Sequence, residues 1–192
     1  MTVMTDSQYL PPRPGPMTVH DLEGLPDDGR RYELVDGTLL VSPAPGRRHQ
    51  KASARLYGVL EAACPPQFDV LAAPFAVRSG DKVELQPDLL VGWESEFTER
   101  NLPTAPVLAV EVLSPSTALH DLNTKKALYQ RLGVRSYWVI DPDEPALTVF
   151  ELNEEGVYQQ VAKAAGDEPF VAIRPFPVRV IPNDLLGRLS ES

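Results

Sequence analysis

A few charged residues stand where packing alone would not put them. Glu111 interrupts Val107–Leu113, a run otherwise apolar throughout. An ionised carboxylate buried in such a run needs a cation, a hydrogen-bond network or a metal beside it. Asp88 opens a second apolar run, Asp88-Leu-Leu-Val-Gly-Trp93, directly after Pro87. If the two runs are neighbouring strands, their carboxylates converge at the sheet edge and offer oxygen ligands to a hard divalent cation.

Lys125 is the third anomaly. On the helix predicted after Thr117, Asp121, Lys125, Leu128, Tyr129 and Leu132 share one stripe, which places Lys125 and Tyr129 on the core-facing side. A lysine there either snorkels outward or points at the carboxylates. The helix leaves the end of the Glu111 run, so its first turns lie close to Glu111. Asp88, Glu111 and Lys125 together would form a phosphodiesterase site. A bound metal lowers the pKa of a coordinated water and stabilises charge on the scissile phosphate, while the lysine orients the water or neutralises the transition state. Glu33 could complete the metal shell directly or through water. The bland alternative is a structural ion pair in which Lys125 simply neutralises Glu111.

The elements that must position these residues follow from periodicity and turn chemistry. Arg31–Val35 and Thr38–Val41 flank Asp36-Gly37 and read as a hairpin. Thr18 can cap a short helix to about Leu25, with Asp21 three positions on. From Arg47 to Ala63, Ala52, Leu56, Val59, Leu60 and Ala63 recur at helical spacing, and Pro65-Pro66 ends the helix. Short strands are expected at Phe68–Leu71, Phe75–Arg78 and Lys82–Leu85, then the two buried runs, with a polar connection and a helical turn between them. Ser116 or Thr117 can cap a helix to Leu132, where Gly133 supplies the stop. Ser136–Ile140 is the next strand, so Val107 to Ile140 reads strand–helix–strand, with right-handed crossover and parallel pairing. Further strands at Ala146–Leu152 and Val157–Val161 precede a helical turn within Ile181–Leu189. The fold class is α/β, with helices flanking a mixed central β-sheet.

Bulk properties bound the rest. The 192 residues suit one domain, and Pro11, Pro12, Pro14 and Pro16 with Gly15 mark residues 1–16 as a flexible tail ahead of a domain at 17–192. The lone Cys64 excludes an internal disulfide and a cysteine-rich zinc site. No apolar run approaches bilayer length and the first residues lack a signal pattern, so a cytoplasmic location without membrane partners is expected. A net charge of -9 argues against non-specific coating of nucleic acid, though it leaves room for a local basic groove. Arg47, Arg48, Lys51 and Arg55, with Lys126, Arg131 and Arg135, are the evident phosphate-binding surface, and solvated faces are their bland reading. His49 falls on the apolar stripe of its helix and reads as packed or capping.

A set of motifs carries a resemblance. Arg31-Tyr-Glu-Leu-Val-Asp-Gly37, His49-Gln50, Gln86-Pro-Asp-Leu-Leu90, Val110-Glu-Val-Leu-Ser-Pro-Ser-Thr117, Asp121-x-x-x-Lys125-x-x-x-Tyr129 and Gly133-Val-x-x-Tyr-Trp-x-x-Asp-Pro142 resemble, in this order, the Uma-two family. That family is a widespread bacterial group of restriction-endonuclease-like proteins, and the likeness spans roughly residues 18–155. It implies a PD-(D/E)XK nuclease core with Asp88, Glu111, Lys125 and Glu33 as catalytic residues. It also implies Mg²⁺ or Mn²⁺ held by Asp88, Glu111 and Val112, with DNA as partner and a homodimer as assembly. The ordinary motif would place lysine two residues after Glu111, where Leu113 stands, so the resemblance moves that role to Lys125. The function it implies is a divalent-metal-dependent endonuclease. The alternatives are a non-catalytic interaction protein with a vestigial site and a hydrolase of another phosphodiester.

Overall fold

The computed structural model describes residues 15–114 and 120–190. The N-terminal proline tail up to residue 14, the Ser116 or Thr117 cap and the Asp121 side chain therefore lie outside the described residues.

Helix α1 (Val19–Leu22) starts at Thr18, whose backbone N–H and hydroxyl both donate to Asp21 Oδ2 at 2.9 Å. It ends three residues before the expected Leu25. β1 (Arg31–Val35) and β2 (Thr38–Ser42) form the expected two-residue hairpin, with Val35 opposite Thr38. Asp36 and Gly37 both adopt positive φ, 51° and 80°, as the twist of a tight hairpin requires. Helix α2 (Arg47–Ala63) has the predicted bounds. Then come β3 (Phe68–Ala72), β4 (Ala76–Ser79), β5 (Val83–Leu85), β6 (Leu89–Trp93), β7 (Asn101–Leu102) and β8 (Leu108–Val112). A π-helical turn, His120–Lys125, leads into α3 (Lys126–Leu132), which Gly133 ends in the left-handed conformation at φ 82°. The chain finishes with β9 (Ser136–Asp141), β10 (Ala146–Leu152), β11 (Tyr158–Ala165), β12 (Phe170–Ala172), β13 (Val178–Val180) and α4 (Pro182–Leu186).

The mixed sheet has six strands in the order β11-β10-β9-β8-β6-β3. β8 and β9 pair in parallel, as their crossover demands, and every other pairing in it is antiparallel. A second sheet of five strands, β2-β1-β5-β4-β7, was not separable by pattern, because its short strands look the same whichever sheet they join. β12 and β13 form a further antiparallel pair.

The central strands of the six-stranded sheet, β6, β8 and β9, are buried on both faces, which is why they lack clean alternation. On one face Ala52, Leu56 and Leu60 of α2 meet Leu108, Val110 and Trp138. On the other, Leu128 and Tyr129 of α3 meet Ala109, Tyr137 and Val139. β8 alternates between the two clusters, so Glu111, next after Val110, faces α3. Truncating Leu56→Ala should lower stability by about 2–5 kcal/mol in urea unfolding, because this side chain is fully enclosed between α2 and the sheet.

Candidate active site

Four separate elements supply the side chains. Glu111 sits on β8, Lys125 closes the π-helical turn before α3, Tyr129 lies one α-turn further on, and Glu33 comes from the middle of β1. Lys125 Nζ lies 3.1 Å from Glu111 Oε1 and 2.9 Å from Glu33 Oε2. The lysine therefore does not snorkel: it is 3% exposed, Glu111 1% and Glu33 0%. Tyr129 donates its hydroxyl to the same Glu111 oxygen at 2.8 Å. Burial, then the neighbouring Glu111 and Glu33 charges, pushes the Tyr129 phenol far above its usual value, so it remains a donor. Glu33 accepts the Gln86 N–H on Oε1 at 2.8 Å. Its Oε2 faces Lys125 without an aligned hydrogen bond.

Asp88 precedes β6 and is held from three directions. Arg31 Nη1 donates to Oδ1 at 2.9 Å, His49 Nε2 lies 3.0 Å from Oδ2, and the Val112 N–H donates to Oδ2 at 2.8 Å. Arg31 also donates to the Gln86 carbonyl at 3.0 Å. The two β1 side chains thus clamp Gln86-Pro87-Asp88, Arg31 through the carbonyl and Glu33 through the N–H. Period two puts Arg31 and Glu33 on one face of β1. Burial acts to lower the Arg31 pKa, but Asp88, Glu111 and Glu33 outweigh it and raise it, so this guanidinium links both halves of the site. In the ladder Leu89 pairs with Val110, which brings Asp88 and Glu111 to the same end of β6 and β8.

The structure brings Glu33, Glu111 and Lys125 into contact and places Asp88 at the adjoining ladder position, against Arg31, His49 and Val112. Val112, expected as a metal ligand, presents its N–H to Asp88. His49, read from sequence as packed or capping, is a partner of the Asp88 carboxylate. Arg31 and the Tyr129 hydroxyl went unrecognised, and each had a signal: Arg31 is two residues before Glu33 on one strand, and Tyr129 is four after Lys125 on one helix. The basic helix face divides. Arg48 bonds the Pro142 and Leu189 carbonyls, and Arg55 bonds the Asp184 carbonyl, so both are structural. Arg47 and Lys51 stay exposed. Arg131 pairs with Asp36, and Lys126 lies over the Phe150 ring at 3.6 Å.

Burial alone would raise the Asp88 pKa, but the His49 hydrogen bond, the Arg31 charge and the Val112 N–H hold it below the ordinary carboxylate value. A depressed folded-state pKa contributes stability above the unfolded value of about 3.9, and that contribution is lost as pH falls through the folded value. The stability difference between the parent protein and Asp88→Asn should therefore be large near pH ~7 and shrink below about pH 4, as read by thermal denaturation across pH. A difference independent of pH would show that the folded state does not hold Asp88 ionised.

The family model Uma2, described as "Putative restriction endonuclease", matches residues 19–180. Among solved structures, the chain is similar to a protein from Anabaena variabilis ATCC 29413, titled a putative nuclease belonging to DUF820. The TM-score is 0.73 at 19% identity, covering 91% of this chain and 99% of that one, a likeness that supports the restriction-endonuclease-like fold. No curated protein matches. The matched span takes in the β1 clamp, Asp88, Glu111, Lys125 and both helices that hold them, and the chain belongs to the Uma2 family.

Proposed function

We propose that this protein is a divalent-metal-dependent endonuclease that hydrolyses DNA phosphodiester bonds. One observation carries the reading: Glu111, Lys125 and Glu33, from three different elements, meet in a buried cluster beside Asp88 at the end of two sheet strands. Apolar residues of similar volume would serve the fold equally well or better, so such a cluster calls for a chemical reason.

The donor set suits a hard cation. Among the described residues no three His, Cys, Asp or Glu side chains are grouped so as to hold a metal. Mg²⁺ does not need such a cage, since it is usually bound through one or two carboxylates, waters and substrate phosphate. Asp88 and Glu111 would hold Mg²⁺ or Mn²⁺, with Val112 offering a backbone carbonyl. Asp88 accepts three hydrogen bonds of the roughly four its carboxylate can take, which leaves it ligand capacity. When bound, the cation supplies Lewis-acid polarisation of the phosphate and a more acidic water.

The protein's own groups do the positioning. Arg31, His49 and Val112 fix the Asp88 carboxylate. Tyr129 fixes Glu111 on one oxygen. Lys125, held between two carboxylates, places an ammonium where it can orient the attacking water or meet the charge that develops on the phosphate. Glu33 holds the lysine and, through Gln86, the segment that carries Asp88.

The closed ion pairing of Lys125 with both carboxylates also suits a second reading, a non-catalytic interaction protein whose site is vestigial. Nicking of supercoiled plasmid separates the two. The nuclease reading expects nicking with Mg²⁺ or Mn²⁺, none with EDTA, and a fall of at least about a hundredfold in Asp88→Ala and Lys125→Ala. Folding of each variant is checked by circular dichroism. Absence of nicking in every metal, on double- and single-stranded DNA, would favour the interaction protein.

Metal binding has its own readout. A cation that binds only the folded state at a hundred times its Kd adds about 2.7 kcal/mol of stability. The melting temperature should rise with Mg²⁺ or Mn²⁺ in the parent, and that rise should vanish in Glu111→Gln.

A further inference from the structure

The outer face of α2 carries a ridge of positive charge. Arg47, Lys51 and Arg55 follow one another at i, i+4 and i+8, and all three are exposed. On one flank of this ridge, Gln50 and Ala54 line a cavity of about 510 Å³ that Asp88 and Arg31 also line. On the other flank, Arg55 and Val59 line a cavity of about 240 Å³ with Arg179 and Asp184. Arg179, on β13, is exposed as well, so the positive charge continues from the helix onto the neighbouring strand. Arg55 uses one donor on the Asp184 carbonyl and keeps its charge at the surface.

Folding does not explain this ridge. Like charges at i and i+4 repel, and a cation in the first turn of a helix opposes the macrodipole, which favours a carboxylate there. The first turn of α2 has no acidic residue although it holds Arg47 and Arg48. Glu61, the one carboxylate of the helix, stands near its C-terminal end, where a cation is preferred. The charges are thus reversed at both ends, in a protein with 27 Asp and Glu against 18 Lys and Arg. Arg48 turns aside to the Pro142 and Leu189 carbonyls, whereas Arg47 and Lys51 have no carboxylate partner among the described residues. An anion lying along the helix relieves the repulsion. The rise from one ridge residue to the next is about 6 Å, close to the spacing of successive phosphates along a nucleic-acid strand. Gln50, Ala54 and Gly58 run beside the ridge at the same interval, and a Cβ at Gly58 would meet nothing within 4 Å. A sugar-phosphate backbone can therefore approach the helix closely.

We propose that the outer face of α2 is a phosphate-backbone track, on which Arg47, Lys51 and Arg179, with Arg55 between them, hold the DNA strand that leaves the cavity beside Asp88. The inference rests on the nuclease reading of Asp88, Glu111 and Lys125 and adds to it the surface that receives the substrate flanking the scissile phosphate.

The test is binding of a fluorescent DNA duplex in EDTA, followed by anisotropy over a range of salt. The slope of log affinity against log salt should be about −3 in the parent, from roughly −0.9 for each phosphate held. Arg47→Gln, Lys51→Gln and Arg179→Gln should each weaken binding about three- to tenfold and make the slope shallower by about 1. Lys82→Gln removes the same charge from the β4–β5 turn and should leave affinity and slope unchanged. Arg47→Glu should weaken binding further yet keep or raise the melting temperature, since a carboxylate suits the start of a helix. That combination marks the cation as kept for a ligand rather than for the fold. Ridge variants that bind as the parent does, a loss shared equally by Lys82→Gln, or a parent that fails to bind at low salt overturns the track. Ridge-dependent binding to phosphatidylserine vesicles but not to DNA would give the face to a membrane and overturn it too. Plasmid cleavage with the slope unchanged in the ridge variants would retain the nuclease and remove the track. Ridge-dependent DNA binding without cleavage in any metal would do the reverse.

Discussion

The structure turns on one ammonium group held out of water between two carboxylates. Desolvating Lys125, Glu111 and Glu33 separately would cost several kcal/mol each, so none of them is tolerable in place without the others. Their arrangement fixes how the elements around them sit. β1 must bring Glu33 over the end of β8, and the π-helical turn must end where Lys125 can reach inward. Tyr129 completes the set by donating to Glu111, its phenol kept protonated by burial and by that carboxylate's charge. An inserted residue in a helix is often found at such a place, because it redirects a side chain without breaking the helix.

The second half of the site depends on the first through β1. Arg31 and Glu33 leave the same face of one strand, and each holds a different backbone atom of Gln86. Asp88 follows two residues later. A displacement of β1 would therefore disturb Lys125 and Asp88 at once, although no bond between those two is needed. Arg31 carries the coupling electrically as well, since its charge is favoured by Asp88, Glu111 and Glu33 together. The five-stranded sheet thus contributes little to the hydrophobic core around α2 but supplies the clamp on which the site closes.

Which residues could be read from the sequence follows from whether they break their local pattern. Glu111 interrupts an apolar strand, Asp88 opens one and Lys125 stands on a buried stripe, so each contradicts the burial its neighbours demand. Arg31, His49 and Tyr129 contradict nothing. An arginine at a strand start, a histidine on an apolar helix stripe and a tyrosine in a core are all ordinary, and only the three-dimensional meeting gives them roles. The same reasoning explains the fold. α2 and the strands from β8 to β10 have long, consistent periodicity and fall where expected. The separation into two sheets depends on pairings between short strands far apart in sequence, which local pattern does not encode.

The net charge of -9 weighs less against nucleic acid once the local balance is drawn. Arg31 and Lys125 offset two of the three carboxylates of Glu33, Asp88 and Glu111, which leaves one of these carboxylates without a matching cation from that pair. The basic residues that looked like a phosphate surface are divided: Arg48 and Arg55 are committed to backbone carbonyls, while Arg47 and Lys51 remain outward. A cleft of this kind does not attract a polyanion from a distance, since the long-range field of the protein opposes it. On the proposed nuclease reading, affinity would come from short-range contacts made inside the cleft and along its rim, over distances at which global charge counts for little. An acidic nuclease-like protein with a nearly neutral site should therefore engage nucleic acid by shape and local contacts, with a weaker dependence on salt than a basic DNA-binding surface shows.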